Sequence, residues 1–456
     1  MNKLSVILSA ALVTAAWSAG AETPTPAMSP STNASPAWLT RPLSLVDALN
    51  TALLQNASIL KAKNDLEASH GVVVQTRAVA LPQLTANGQY KDSEETLSKG
   101  SPFPTMHQNW NTGIQVSQAI YEGGKLRAAL KAATATKQQA IAQYDTVVAD
   151  TLLSVRLAYY DVLLAAEQIS VHEASVNLLQ KELDDQNHRF EAGTVPHFNV
   201  LRAEVSLANE RPNLIHARNQ YRITKNNLSN LLGYSLPRDV WENIPLNLTD
   251  TLDTSPYTVN LPDAIQQALA RRTELISLRR VLELRELDII NARSGYKPTV
   301  SVFAGYGWMN SSYSSSGDVS DEVDGWNAGA QVQWNIFDGA LTQGKVIQAK
   351  ALAARAKTDL ADQYRQIELA VRSAYSDFIE ARETLESQLK VQEQADEALR
   401  EAKARAEAGT ATQLDVLDAE NSLTQARATQ VGAEHDYVAA RAKLERAIGS
   451  DLSPTK

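Results

Sequence analysis

The sequence predicts a mainly α-helical, internally duplicated chain that also carries four antiparallel β-strands. Three observations support this fold class: similar residues recur at a fixed offset, long stretches place apolar residues three or four apart, and four shorter stretches alternate apolar with polar residues. The offset of 216 residues is too long for a solenoid repeat. One large structural unit therefore occurs twice.

The duplication is visible in residue pairs that match along most of the chain. These pairs are Asp47 and Asp263, Pro82 and Pro298, Tyr90 and Tyr306, Trp110 and Trp326, Gly123 and Gly339, Tyr159 and Tyr375, Tyr221 and Tyr437, and Gly233 and Gly449. The first repeat is predicted to span 43–258 and the second 259–451, which leaves 452–456 as a tail.

The N-terminal segment 1–21 has the features of a secretory signal peptide. It has a charged Lys3, a short apolar core and the small-residue cleavage pattern Ala19-Gly20-Ala21. A buried N-terminal helix is the alternative. Residues 22–42 are rich in Pro, Ser, Thr and Ala, which indicates a flexible leader. Without Lys3 the net charge changes from −9 to −10, so a nucleic-acid partner is not expected.

The composition restricts how the chain is stabilised. It has 0 cysteines, so an exported form depends on packing or on oligomerisation rather than on disulfides. After the signal, no run of about 18 apolar residues occurs that could cross a bilayer as a helix.

Each repeat is predicted to begin with a helix that ends before a proline. The first helix spans 43–80, with Ser44 as a candidate N-cap, and stops before Pro82. The second spans 261–296 and stops before Pro298.

After each proline the period changes to two, which predicts two pairs of strands within 83–121 and 299–337. Each strand of roughly 10–13 residues has one apolar and one polar face, as outer-membrane barrel strands do. A soluble, half-buried sheet remains the alternative. The polar stretches 92–107 and 310–323 are the predicted connecting loops.

Four strands cannot close a barrel wide enough for water, whereas three chains would supply twelve. Tryptophans near the strand ends are candidates for interfacial aromatic girdles at the two membrane surfaces. They are Trp110, Trp308, Trp326 and Trp334.

Two long helices and two shorter ones follow the strands. Apolar or small residues three and four apart predict a coiled-coil helix over 124–190, repeated over 340–408. About 67 residues would extend roughly 100 Å, further than a single globular domain. Shorter helices follow at 196–232 and 412–448. Each shorter helix, stacked end to end on the first helix of its repeat, would match one long helix, and the linker 234–258 would fold against the middle of these rods.

The turns that join long and shorter helices are short. The first tip turn spans 191–195 and the second spans 409–411, and each contains a glycine suited to ending a helix, Gly193 or Gly409.

With these patterns the chain resembles the TolC family of outer-membrane efflux and secretion channels. The resemblance covers nearly all of the chain after the signal. It depends on the doubled start Leu45-x-Asp47-Ala48-Leu49, the helix-to-strand prolines, the strand end at 119–124 and the tip turns. It implies a homotrimer with a twelve-stranded barrel in the outer membrane and a helical tunnel through the periplasm. It also implies contacts with a periplasmic adaptor protein and an inner-membrane pump of the RND or ABC class.

The resemblance implies that Asp415 and Asp418 line the periplasmic entrance. They lie three residues apart, on one helix face, and three chains would crowd six carboxylates together and raise their pKa values. The alternative role is a favourable interaction with the helix dipole. The matching positions in the first repeat are Asn199 and Arg202, and we expect Arg202 to pair with one of the two aspartates across neighbouring coils.

The tip turns are the expected adaptor contact. The residues are Gly193, Thr194 and Val195 in the first turn and Gly409, Thr410 and Ala411 in the second.

The chain shows no recognised catalytic pattern. G-x-x-x-x-G-K-S/T, H-E-x-x-H, C-x-x-C and G-x-S-x-G are all missing, and the 7 histidines are scattered. No cofactor or metal site is therefore expected, and the chain is not predicted to be an enzyme. The predicted function is a passive exit duct, and the alternative is a periplasmic coiled-coil protein without a pore.

Overall fold

A computed structural model describes residues 42–92, 105–234, 244–314 and 319–450. The predicted signal peptide, residues 22–41 of the predicted leader and the predicted tail lie outside the described residues. In the described ranges the chain forms eight α-helices, one short 3₁₀ helix and four β-strands. The predicted fold class, mainly helical with four antiparallel strands, is confirmed.

The first helix of each repeat is divided in two, which corrects the predicted continuous helices. Helices α1 (Leu45–Gln55) and α2 (Ala57–Ala78) meet at Asn56, and α5 (Leu261–Arg271) and α6 (Thr273–Arg293) meet at Arg272. Both junction residues have extended ψ angles, 128° and 122°, which interrupt the helical hydrogen bonds.

The long helices and their shorter partners form two antiparallel hairpins. Hairpin 1 consists of α3 (Lys125–Glu191) and α4 (His197–Leu231), and hairpin 2 consists of α7 (Leu341–Glu407) and α8 (Gln413–Ile448). Both long helices have 67 residues, or roughly 100 Å at 1.5 Å per residue. In the described part of the chain, no helix carries an apolar stretch long enough to cross a bilayer.

The shorter helices stack end to end on the divided ones. Asn56 donates from Nδ2 to the carbonyl of Leu231, 2.6 Å away, at the end of α4. Arg272 donates from Nη1 to the carbonyls of Arg446 and Ala447, 3.2 and 3.4 Å away, near the end of α8. Each junction residue therefore satisfies carbonyls that the abutting helix end leaves free. These contacts build the second rod of each repeat from two pieces.

The strands form one antiparallel sheet in the order β1-β2-β3-β4, so that β1 and β4 are its edges within one chain. They span Gln83–Asp92, Thr105–Glu122, Thr299–Ser314 and Val319–Gln333. Strands β2 to β4 have 18, 16 and 15 residues and are longer than predicted. They extend into the expected polar loops because backbone hydrogen bonds, which polar side chains permit, hold the ladder.

The sheet has one apolar and one polar face. The register aligns Ala86, Ile114, Tyr306 and Trp326 across the four strands. Their neighbours along each strand are mostly polar or glycine, because successive side chains point to opposite faces. Strand β4 ends at Gln333, earlier than predicted, and Asp338 then accepts from the backbone N–H of Thr342 at 2.9 Å as α7 begins.

The largest core lies midway along the rods, where residues 244–260 pack against the hairpins. Tyr159 on α3 is fully buried and donates its hydroxyl to the carbonyl of Leu43 at 3.0 Å. Tyr437 on α8 donates to the carbonyl of Ser255 at 2.9 Å. This core fixes the two hairpins together far from their tips.

Candidate functional site

The two tip turns have the same backbone. Gly193 and Gly409 have φ values of 74° and 70°, a left-handed conformation that glycine adopts without strain. A Cβ built at either glycine would meet no atom within 4 Å. Both turns are therefore open surfaces.

A threonine closes each turn in the same way. Thr194 donates its backbone N–H and its hydroxyl to the carbonyl of Arg189, at 2.9 and 2.8 Å. Thr410 makes the same two bonds to Arg405, at 2.9 and 3.1 Å. These bonds satisfy a carbonyl at the end of each long helix.

The helices that leave the two turns begin differently. Helix α8 starts with a capping box in which Thr412 accepts from the backbone of Asp415, and Asp415 accepts from the backbone N–H of Thr412 at 2.7 Å. The N-cap of α4 is Pro196, which provides no side-chain cap.

The capping box determines the chemistry of Asp415 within one chain. The backbone hydrogen bond from Thr412, followed by its hydroxyl, lowers the pKa of Asp415. The sequence predicts a rise from crowding with other carboxylates, an effect that would come from neighbouring chains. Asp418 lies one turn further on and is exposed.

The first-repeat counterparts, Asn199 and Arg202, lie on α4 and are half-buried. The guanidinium of Arg202 lies 5.3 Å from the centre of the Phe198 ring, within cation–π range. Among the described residues of one chain, Arg202 forms no ion pair with Asp415 or Asp418. The predicted pairing between neighbouring coils remains a prediction.

A cleft of about 770 Å³ separates the two hairpins behind the turns. Both turns contribute to its wall, through Val195 and Ala411, and both Asn199 and Arg202 line it. The charged residues that line the cleft are Lys181, Glu182, Asp185, Arg189, Arg202, Lys403, Glu407 and Glu420.

Glu420 is the most deeply buried charged residue of this cleft, with 2% of its surface exposed. Neither carboxylate oxygen has a hydrogen-bond partner. Lys403 Nζ lies 3.1 Å from Oε1, close enough for an ion pair but outside hydrogen-bonding angles. Burial raises the pKa of Glu420, Lys403 opposes that rise, and the carboxylate of Glu182 adds to it.

Buried Gln186 and half-buried Gln413 belong to the same polar cluster. Glu182 Oε1 accepts from Gln186 Nε2 at 2.9 Å and from Gln413 Nε2 at 3.4 Å, which joins hairpin 1 to hairpin 2. The side-chain oxygens of Gln186 and Gln413 have no partner. The cluster thus contains four buried side-chain oxygens without a hydrogen-bond donor, one each from Gln186 and Gln413 and two from Glu420.

Apolar layers hold the hairpins together next to this polar cluster. Leu179, Leu207 and Leu417 form one buried layer from α3, α4 and α8. A second layer contains Val416 and Leu399, with Leu178 of hairpin 1 packed against it.

Sequence reasoning missed the polar cluster, although one signal was present. Val416, Glu420 and Leu423 follow one another at spacings of four and three, so Glu420 occupies an apolar seam position. Seam positions are normally apolar, so a glutamate at one of them predicts a buried carboxylate.

The four candidate girdle tryptophans lie at different levels of the sheet, and Trp110, Trp308 and Trp326 are level with Glu322, Asp324 and Tyr306. Trp110 pairs with Tyr90, Trp326 pairs with Tyr306, and Trp308 is nearby on the same face. Trp334 follows the last residue of β4 and donates its indole N–H to the carbonyl of Tyr296 at 3.2 Å, at the helical end of the sheet.

A family model described as "Outer membrane efflux protein" matches residues 48–234 and 264–450. The chain belongs to this family. The two matched ranges begin 216 residues apart, because 264 minus 48 is 216, which is the offset seen in the sequence. The family confirms the resemblance and places the protein in the outer membrane. It is a family of efflux proteins and not of enzymes.

Related proteins cover almost the whole chain. Outer membrane protein TolC of Escherichia coli is 24% identical over 420 residues, which are 89% of this chain and 82% of TolC. The cobalt-zinc-cadmium resistance protein CzcC of Cupriavidus metallidurans is also 24% identical, over 90% of both chains. The alkaline protease secretion protein AprF of Pseudomonas aeruginosa is 22% identical, over 88% of this chain and 83% of AprF.

Solved structures share the fold at low sequence identity. A structure of CusC superimposes with a TM-score of 0.76 and 18% identity, over 92% of this chain and 96% of CusC. VceC of Vibrio cholerae gives 0.73 and 20% identity, over 90% of this chain and 96% of VceC. Within the described ranges, no group of His, Cys, Asp and Glu side chains is suited to holding a metal ion.

Proposed function

We propose that three copies of this chain form a passive exit duct that carries substrates from the periplasm across the outer membrane. The β-sheets of the three chains close one twelve-stranded barrel, and the six hairpins enclose a tunnel below it. The single observation that carries this proposal is a sheet with apolar and polar faces and two unpaired edges, on a chain of the outer membrane efflux family.

The sheet edges support assembly. Strands β1 and β4 are edges in one chain and leave backbone groups that another chain can pair with. Joining β4 of one chain to β1 of the next closes the barrel with no edge left over, which a lipid environment requires.

The aromatic residues support insertion into a bilayer. Trp326 and Trp334 are eight residues apart, or about 26 Å along a strand at ~3.3 Å per residue. Because barrel strands tilt by about 35–45°, this length corresponds to a height of roughly 20 Å, which is most of the apolar band of about 25 Å. Trp308 and Trp110 lie two and four residues further from Trp334 than Trp326 does. The three therefore mark one interface of the bilayer, and Trp334 marks the other.

The tip turns form the entrance and the contact with a periplasmic adaptor, through Gly193 to Val195 and Gly409 to Ala411. The adaptor connects the duct to an inner-membrane pump of the RND or ABC class, which supplies the energy. The names of similar proteins include both metal resistance and protease secretion. We therefore assign the choice of substrate to the pump.

Asp415 and Asp418 place six carboxylates around the entrance of a trimer. Arg202 of one chain pairs with one of these aspartates in the next and holds the entrance closed. In planar bilayers, Arg202→Ala is expected to increase the open-channel fraction, whereas the control Arg211→Ala, an exposed arginine on the same helix, leaves it unchanged. Equal behaviour of the two variants would refute the latch and leave the duct intact.

The duct itself is tested with purified protein in planar bilayers. We expect detergent-dependent solubility, a complex whose gel migration changes on heating, and stepwise single-channel currents. Protein that stays soluble without detergent and gives no current would instead support a periplasmic coiled-coil protein without a pore.

A further inference from the structure

The cleft between the hairpins contains a buried charge that the proposed duct does not require. Glu420 is 2% exposed and neither of its oxygens accepts a hydrogen bond. A buried carboxylate without hydrogen bonds destabilises the arrangement that buries it. The packed position of the two hairpins is the arrangement that buries Glu420.

The cation next to Glu420 does not join the hairpins. Lys403 lies on α7 and Glu420 on α8, so both residues belong to hairpin 2. Lys403 is 38% exposed and can be hydrated where it is. Their ion pair is therefore compatible with both packed and separated hairpins.

The hairpin 1 charge that acts on Glu420 across the cleft is of the same sign. Glu182 on hairpin 1 is close enough to raise the pKa of Glu420 electrostatically. The hydrogen bond from Gln413 to Glu182 is long, at 3.4 Å. One turn beyond Glu420, the hydroxyl of Thr424 on α8 donates to the hydroxyl of Ser175 on α3 at 3.1 Å. The leucine layers and these two hydrogen bonds therefore attract the hairpins to each other, and the like charges of Glu182 and Glu420 oppose that attraction.

We propose that Glu420 is a positioning residue of the entrance, whose buried carboxylate keeps hairpin 2 only weakly packed on hairpin 1 at the tip. When the hairpins separate, water reaches the carboxylate and removes the cost of burying it. The core midway along the rods keeps the two hairpins joined there, so separation is confined to the tip. The inference deepens the proposed function, on which it depends.

The same arrangement predicts a pH dependence. Burial raises the pKa of Glu420 in the packed position, so that position binds the proton more tightly than the separated one. Acid therefore favours packing, and a pH above the raised pKa favours separation. The other charged groups that face the cleft are Lys403 and Glu407 from α7, Lys181, Glu182, Asp185 and Arg189 from α3, and Arg202 from α4.

The duplication provides a matched control. Glu204 is the residue 216 positions before Glu420, and it is exposed on α4. The variants Glu420→Gln and Glu204→Gln therefore make the same chemical change at equivalent positions, one buried and one exposed. Glu420→Leu removes the polar group entirely at a similar volume.

The test measures the distance between the tips in full-length protein in liposomes. The chain has 0 cysteines, so Ala192→Cys and Ala408→Cys introduce a unique pair for spin labels at exposed positions. Dilution with unlabelled chains leaves about one labelled chain per assembly. Pulsed electron paramagnetic resonance then gives the ratio of separated to packed tips between pH 4 and pH 8, a range that begins below the ordinary pKa of a glutamate carboxyl.

We expect the ratio to rise with pH in the otherwise unchanged protein and in Glu204→Gln. In Glu420→Gln the pH dependence is lost and the ratio at pH 8 falls by about 5-fold or more, because the neutral amide has no charge to desolvate and none for Glu182 to repel. Glu420→Leu gives a ratio at least as low. A pH response retained in Glu420→Gln, or a ratio increased by either variant, would overturn the proposal.

Single-channel recording of the same samples separates this inference from the proposed function. A distance change without any current would refute the duct and leave the role of Glu420 supported. Currents without any pH-dependent distance change would refute the role of Glu420 and leave the duct supported.

Discussion

The two tip regions share a backbone but differ in the side chains behind it. Gly193 and Gly409 have φ values within 4° of each other, since 74 minus 70 is 4. Behind the turns, Glu204 is exposed whereas its counterpart Glu420 is buried. Duplication therefore retained the turn and allowed the surfaces on either side of the cleft to diverge.

The difference teaches that equivalent positions in a duplicated chain can have unequal roles. One chain contains two hairpins that pack on each other, so a position that faces the partner in hairpin 2 faces outward in hairpin 1. Leu417 is 3% exposed, for example, and its counterpart Leu201 is 45% exposed. The asymmetry lies in the packing and can be measured by paired substitutions.

The largest expected difference comes from the leucine layer. Leu417→Ala removes a buried side chain and should cost about 2–4 kcal/mol of local packing, whereas Leu201→Ala should cost less than about 0.5 kcal/mol within the chain. Hydrogen–deuterium exchange at the tips would show faster exchange in Leu417→Ala alone. An equal effect of Leu201→Ala would mean that Leu201 packs against a neighbouring chain.

A second contrast concerns His435, whose counterpart is the exposed Asn219. His435 Nε2 lies 2.9 Å from Asp161 of α3, and Nδ1 lies 3.1 Å from Asp436. Burial alone would lower the pKa of His435, but the hydrogen bonds and charges of these carboxylates outweigh it and raise the pKa.

This raised pKa gives the contact a defined pH dependence. The stabilisation is complete below the ordinary histidine pKa of about 6.5 and is lost as pH rises through the raised value. His435→Asn should remove about 1–2 kcal/mol at pH 6 and little at high pH. Thermal melts of both proteins across this range would reveal it, and a pH-independent difference would contradict it.

The turn glycines should respond equally. Gly409→Ala and Gly193→Ala each force a left-handed conformation on a residue with a Cβ, at a cost of about 1–2 kcal/mol. The surrounding space is open in both turns, so no clash adds to this cost. Limited proteolysis at the tips should increase to the same extent in both variants, and a one-sided effect would show that the turns are not equivalent.

The smallest expected effect comes from the capping box. Thr412→Ala removes the side-chain cap of α8 and should cost about 1 kcal/mol, whereas Pro196→Ala removes no cap from α4. Because the pKa of Asp415 is lowered, the reciprocal bond of the box is present near neutral pH and lost as pH falls through that pKa. Amide exchange at the start of α8 would report the loss. Equal exchange in the two variants would refute the role of this cap.

The sequence was informative wherever a local pattern sets the structure. Pro82 and Pro298 predict helix ends before them, because the residue preceding a proline disfavours the helical conformation. The helices end at Ala78 and Arg293, a few residues earlier. The alternation around Tyr306 and Trp326 sets the two faces of the sheet, and the offset of 216 residues indicates the duplication.

The sequence was less informative wherever a contact between residues far apart in the chain determines the local structure. The breaks at Asn56 and Arg272 exist because each side chain satisfies the end of another helix, 175 and 174 residues away. Lys403 pairs with Glu420 from a different helix. Glu182, which acts on Glu420 across the cleft, is even further away along the sequence. A helical period shows that Glu420 shares a face with Val416 and Leu423, but only packing shows what that face covers.

The central claim is that three identical chains close one barrel through their edge strands. Native mass spectrometry of the protein released from detergent micelles tests it most directly. The account predicts one dominant species with the mass of three mature chains, which loses that mass only when the barrel unfolds. A stable single chain in the absence of detergent would contradict it.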